Sequence, residues 1–165
     1  MQTQSGFVVR RMRPDDGPAL DAVFAGMSDQ SRYQRFLVPT PHLLTSVRRA
    51  LLDLSDRHVA FVAESAGERR PIGIGRYVVT GPDEVEIALG VVDDWHRQGV
   101  GRELLGHVVR AATEAGKHDV VAAVASDNHA MMGLARACLP GVQVAVRDRM
   151  LCLCAALPSV SCAAA

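Results

Sequence analysis

The chain has 165 residues, 48% of them hydrophobic, and its 18 basic and 18 acidic residues cancel to a formal net charge of zero. That length can bury a core within one domain, and that apolar content excludes general disorder. The charge balance argues against nucleic acid or an anionic membrane as the main partner.

Phe7 to Arg13 alternates and reads as a first strand, closed by Arg13-Pro14-Asp15-Asp16. Asp15 or Asp16 is placed to cap a helix running to Met27, with Leu20, Val23 and Phe24 inward. Ser28 to Phe36 reads as a second short helix. The prolines of Val38-Pro39-Thr40-Pro41 then forbid regular structure. Leu43 to Leu54 is helical by period. Strands follow at Val59 to Glu64 and Ile72 to Thr80, and Gly81-Pro82-Asp83 turns the chain into a third, from Glu84 to Val92. On that strand Val85, Ile87, Leu89 and Val91 face one way, and Glu84, Glu86, Ala88 and Gly90 the other.

Val100 to Ala115 is an amphipathic helix with Leu104, Leu105, Val108, Val109 and Ala112 on its apolar stripe. Gly106 interrupts it at a cost of about 1 kcal/mol relative to alanine, which close packing on the sheet would explain. Gly116 stops the helix. A strand at Asp119 to Ala125, a helix from Asp127 or Asn128 to Cys138, and strands at Val142 to Val146 and Arg149 to Cys154 complete the order. The fold class is α/β (α+β-like) with a mixed sheet. One domain is expected over 1–156, with a disordered tail over 157–165.

The N-terminus has no apolar run resembling a signal peptide, and no stretch approaches the length of a membrane span. The four cysteines, Cys138, Cys152, Cys154 and Cys162, fit no zinc spacing. Cys152 and Cys154 alternate with Leu151 and Leu153 and read as small apolar residues, Cys138 reads as core, and the protein as reduced and cytoplasmic, without disulfides or metal. Lys117 is the only lysine.

The run Trp95-His96-Arg97-Gln98-Gly99-Val100-Gly101-Arg102 joins the third of these sheet strands after Phe36 to the amphipathic helix. A glycine turn that opens a helix presents free N–H groups at the positive end of the helix dipole, a site for an anion and above all a phosphate. Arg97 and Arg102 bracket it. By itself this pattern leaves two readings open, a phosphate cradle or a plain helix start in a tight turn.

The element order, with this turn after the fourth strand, resembles the GNAT family of N-acetyltransferases over nearly the whole chain. The family's acetyl-CoA signature is Gln or Arg, two variable residues, Gly, one variable residue, then Gly or Ala. Here it reads His96-Arg97-Gln98-Gly99-Val100-Gly101, with His96 in place of the usual first residue. The resemblance also implies a role for Asn128, at the start of the last helix. Arg13-Pro14-Asp15-Asp16, Ser31-Arg32-Tyr33-Gln34-Arg35-Phe36, Gly73-Ile74-Gly75-Arg76-Tyr77, Glu86-Ile87-Ala88 and Val92-Asp93-Asp94-Trp95 together look like the catalytic domain of bacterial Pat-type protein lysine acetyltransferases.

The resemblance implies the following chemistry. Gln98 to Arg102, with Arg97, would hold the pyrophosphate of acetyl-CoA. The pantetheine arm would pair as an extra strand along the edge formed by Val91 and Val92, where the sheet splays open, and Asn128 would be a further cofactor-binding residue. A backbone N–H near Leu89 to Val91 would meet the oxyanion. A lysine amine is mostly protonated at neutral pH, so a general base helps. Glu86 is the candidate, beside the small Ala88 and Gly90; Glu84 is the second choice. An ordinary exposed strand glutamate fits the pattern of Glu86 equally well. Many relatives place a tyrosine seven residues after the asparagine to protonate the thiolate; Ala135 stands there. Tyr33, Arg32 and Arg35 would border the acceptor cleft. The expected acceptor is a protein lysine; the alternatives are a small amine or a non-catalytic acetyl-CoA-binding module. A monomer and a homodimer are both compatible with the sequence.

Overall fold

The computed structural model of the chain describes residues 6–159. Strand β1 (Phe7–Arg11) leads through helices α1 (Gly17–Ala25), α2 (Asp29–Phe36) and α3 (Thr45–Leu52) into β2 (His58–Ser65), β3 (Pro71–Val79) and β4 (Glu84–Val91). A 3-10 turn, Asp93–Trp95, precedes α4 (Val100–Glu114); β5 (Asp119–Ala125), α5 (His129–Cys138), β6 (Gln143–Arg147) and β7 (Met150–Ala156) follow. All seven strands form one sheet in the order β1-β2-β3-β4-β5-β7-β6. Every neighbouring pair is antiparallel except β4 with β5, which the crossover helix α4 makes parallel. The expected mixed α/β sheet is the one observed.

Two local readings change. Asp16 occupies the N-cap position of α1 but makes no side-chain cap. Its carboxylate instead accepts two hydrogen bonds from Arg10, at 2.8 Å each, and one from Arg13 N–H at 2.7 Å. A bidentate guanidinium satisfies both oxygens, which one helix N–H cannot. Arg10 also reaches Glu64 of β2, so one cation ties β1, β2 and the start of α1 together. Gly106 does not pack on the sheet: nothing lies within 4 Å of a Cβ built on it, and it faces solvent.

The close approach of α4 occurs at β3 instead. A Cβ on Gly75 would meet Leu89 Cδ2 at 2.7 Å and Leu104 Cβ at 3.2 Å. The bare strand face lets Val100, Leu104, Leu105 and Val108 sink out of solvent against the sheet. That contact fixes where the N-terminus of α4 points.

The cysteine reading also divides. Cys138 packs against the core, whereas Cys154 is exposed on β7. The chain stays ordered beyond Cys154: β7 runs to Ala156, and Leu157 is buried with its N–H on His118 O at 2.7 Å. Residues 160–165 of the expected tail, with Cys162, lie outside the described residues. No helix among the described residues is long and apolar enough to cross a membrane.

Candidate active site in the split between two strands

Strands β4 and β5 pair over only three positions, Glu84 with Asp119, Val85 with Val120 and Glu86 with Val121. Beyond Glu86, β4 continues to Val91 and β5 to Ala125 without pairing to each other. The sheet therefore opens into a V whose apex is Glu86. Helix α2 touches both arms, and Gln30 Nε2 donates to Asp127 Oδ2 at 2.8 Å, tying α2 to the loop after β5.

The polar groups along the open edge follow from strand alternation. Val92 N–H donates to Ile72 O at 2.9 Å, so the even residues of β4 bond to β3. The N–H and C=O of Ile87, Leu89 and Val91 must then point away from β3, into the gap. Of the oxyanion range expected from Leu89 to Val91, Leu89 and Val91 offer N–H groups to the gap and Gly90 does not. Val91 keeps its expected place on the edge, although His96 Nε2 donates to its carbonyl at 3.0 Å. Val92 does not: its N–H goes to Ile72, its carbonyl accepts from Trp95 N–H at 3.0 Å, and its side chain is buried against Gly26. The sheet's hydrogen bonding, invisible in the alternation of side chains, turns it away.

The turn into α4 lies at the mouth of this gap. Gly99 is the N-cap, at φ +87, a left-handed conformation that glycine adopts without strain. Glu103 N–H closes the first turn on Gly99 O at 3.1 Å. The N–H groups of Val100, Gly101 and Arg102 precede that bond and have no intrahelical acceptor. Gln98 reaches back to Asp94 O at 2.8 Å, which leaves its backbone at the turn. Arg97, itself left-handed at φ 60, and Arg102 both have exposed side chains, two cations beside a row of N–H donors. Trp95 anchors the turn from behind by packing edge-on against Phe7, with centroids 6.3 Å apart.

Asn128 caps α5, its Oδ1 accepting from Met131 N–H at 3.0 Å. The helix start thus explains its side-chain oxygen. Ala135 is fully buried, so α5 offers no acid at that position.

Glu86 is exposed on the α2 face of β4. Glu84 shares the face but is occupied: its Oε1 accepts from Thr80 Oγ1 at 2.7 Å. The room expected at Gly90 is taken, since Met27 Cε and Arg35 Cδ come within 3.4 and 3.5 Å of a Cβ built there. Tyr33 instead borders a second cleft with Leu37, Ser126, Asp127 and Arg149. Arg32 stacks on Phe24, 4.2 Å from its ring centroid, and donates to Phe24 O and Pro41 O, a structural post for α2. Two residues to which the sequence reading gave no role in the site join its face. Arg76 of β3 lies across from Ala88, next to Glu86, and its Nη1 donates to His58 Nε2 at 3.3 Å. His58 Nδ1 donates to Asp53 O at 3.0 Å, so the ring is neutral, as its lowered pKa from burial and the Arg76 charge requires. Arg76 alternates with Ile74 and Val78 on one strand face, which is the pattern that could have identified it.

No group of three or more His, Cys, Asp or Glu among the described residues could hold a metal ion.

Comparison with known proteins agrees with this geometry. The model of the acetyltransferase (GNAT) family matches residues 27–138. The GNAT domain of Streptomyces lividans PAT is 28% identical, with 90% of this chain and 89% of that chain covered and a TM-score of 0.81. The cAMP-binding acyltransferase from Mycobacterium smegmatis is 23% identical, covering 97% of this chain and 47% of that one, with a TM-score of 0.66. The Salmonella typhimurium protein yncA, solved with its cofactor acetyl-CoA, is 17% identical over 94% of this chain and 96% of that chain, with a TM-score of 0.68. No curated protein sequence matches.

Proposed function

The chain belongs to the GNAT acetyltransferase family, and from that premise we propose that it moves an acetyl group from acetyl-CoA to a primary amine, with a protein lysine as the acceptor and Glu86 as the base. The observation that carries this reading is the early end of β4–β5 pairing at Glu86, beside a helix start with free N–H groups. The residues fit the co-substrate. Gln98 to Arg102 would hold its phosphates by backbone N–H groups and the helix dipole, with Arg97 and Arg102 adding charge. The edge at Leu89 and Val91 would pair with its amide arm, and Asn128, at the start of α5, would add a contact.

The acceptor ammonium loses a proton to Glu86, directly or through water, since the carboxylate is exposed at the apex. The neutral amine attacks the thioester carbon, and an N–H of Leu89 or Val91 is aimed to receive the charge growing on the carbonyl oxygen. The thiolate leaves without a protein acid at Ala135. The motifs resembling Pat-type enzymes, and the likeness to the S. lividans PAT domain, favour a protein lysine.

Calorimetry with acetyl-CoA, then CoA release against lysine peptides and small amines, tests this. Binding and turnover with peptides support it. No acetyl-CoA binding at millimolar concentration overturns it.

A further inference from the structure

Beneath α2, the face that carries Glu86 holds a charge arrangement that acetyl transfer by itself does not need. Arg35 from α2 and Arg76 from β3 line one cavity with Met27, Phe36, Ile74 and Gly90. Both side chains are half-buried, and desolvation is the largest influence on each guanidinium. Together with the Arg76 charge it presses Arg35 down to about 9, still cationic at neutral pH.

The partners do not balance these cations. Arg76 spends Nη1 on neutral His58, and its Nε is buried with no hydrogen-bond partner among the described residues. Arg35 rests on the Phe36 ring, 4.9 Å from the centroid, and has no hydrogen-bond acceptor or ion pair among the described residues. Glu86 is the carboxylate that acts on both, yet neither guanidinium comes within ion-pair distance of it. Two desolvated cations thus share the influence of one carboxylate, Glu86, and neither is ion-paired with it. Uncompensated charge in such a setting is costly, and guanidinium donors match a carboxylate in geometry.

We propose that Arg35 and Arg76 form a receptor for a carboxylate that the acceptor carries close to its amine, so that binding the carboxylate delivers the amine to Glu86. This rests on the acetyl-transfer reading above and names the acceptor's class: an amino-carboxylate, not a simple amine. The carboxylate comes either from the α-carboxyl of a free amino acid or from an aspartate or glutamate beside a peptide lysine.

Matched acceptors test it with the full chain and acetyl-CoA: lysine against lysinamide, and a Glu-Lys peptide against its Gln-Lys twin. The carboxylate member of at least one pair is expected to have a kcat/KM at least about tenfold higher, and which pair responds identifies the source. Arg76→Gln, with Arg35→Gln as the second variant, should collapse that ratio towards one. A transfer-independent arm compares thermal stability in sodium isobutyrate and sodium chloride at equal ionic strength. Wild type should gain stability from isobutyrate and the variants should not. Equal rates within both pairs, or a ratio that survives both variants, overturns the proposal while acetyl transfer stands. If acetyl-CoA fails to bind, the acetyl-transfer reading falls, and the isobutyrate arm alone decides whether the two arginines hold a carboxylate.

Discussion

His96 Nε2 lies 3.0 Å from the carbonyl oxygen of Val91, and an oxygen that can only accept requires that nitrogen to carry the proton. The carbonyl is one of the edge groups that face the split between β4 and β5. A ligand amide that pairs with this edge must displace the imidazole. His96→Ala is therefore expected to tighten acetyl-CoA binding, roughly two- to tenfold, the equivalent of one net hydrogen bond. Calorimetry on both proteins reads it. Weaker binding in the variant would mean that the imidazole itself holds the ligand.

Glu86 and Glu84 share a strand face but differ in engagement, because Thr80 holds Glu84. Glu86→Gln should lower kcat by about a hundredfold or more, with acetyl-CoA affinity unchanged within a few-fold, as loss of a general base predicts. Glu84→Gln should keep near wild-type turnover. The reverse pattern would move the base to Glu84, and full activity in both would hand the proton to solvent.

Much of this molecule was legible in the chain. Strand and helix periods placed every element within a residue or two, because each buries one face in a regular rhythm. The turn at Gly99 was legible because glycine there answers a backbone need, φ +87. What stayed hidden depends on pairing. The resemblance put Val92 on the edge, but its backbone is spent on Ile72 and Trp95. Arg35 and Arg76 come from distant segments and meet only once α2 packs on the sheet. Gly106 was misread although its neighbours in the helix period, Arg102, Glu103 and Arg110, are all exposed.

The two glycines tied to α4 and its sheet contact predict opposite outcomes. Gly106 has open space around it, so Gly106→Ala should stabilise by about 1 kcal/mol and raise Tm by roughly 2–4 °C. Gly75→Ala drives a methyl into Leu89 and Leu104 and should cost about 1–3 kcal/mol. Because α4 starts at the Gly99 turn proposed to hold the phosphates, it should also weaken acetyl-CoA binding. Thermal melts and calorimetry of both variants check the pair.

Folding stability should fall on mild acidification. His58 is 8% exposed, and burial and Arg76 hold its pKa below the ordinary 6.5. The unfolded chain then binds the proton more readily, so the stabilising contribution is complete above pH 6.5 and is lost as pH drops through the folded value. Asp16, held low by Arg10, adds a second loss below its ordinary 3.8. Tm measured from pH 7.5 to 5 should decline in wild type, and His58→Gln should flatten that limb. An unchanged slope in the variant would shift the effect to other groups.

Lys117 tests the placement of the reaction. It follows α4, whose 15 residues, Val100 to Glu114, separate it from the Gly99 turn, and a helix of about that length spans roughly 22 Å at 1.5 Å per residue. Its Nζ donates to Pro82 O at 2.7 Å, in the turn that starts β4, the end of the strand away from the open edge at Leu89 and Val91. The only lysine of the chain therefore cannot reach a thioester bound in its own V. Incubation with acetyl-CoA followed by intact-mass and peptide analysis should show no concentration-independent labelling of Lys117. Rapid labelling at a rate independent of protein concentration would place the thioester near the β3–β4 turn and overturn the site. Slow labelling that rises with protein concentration would fit transfer between copies, each presenting Lys117 as an ordinary protein lysine to the Glu86 of another.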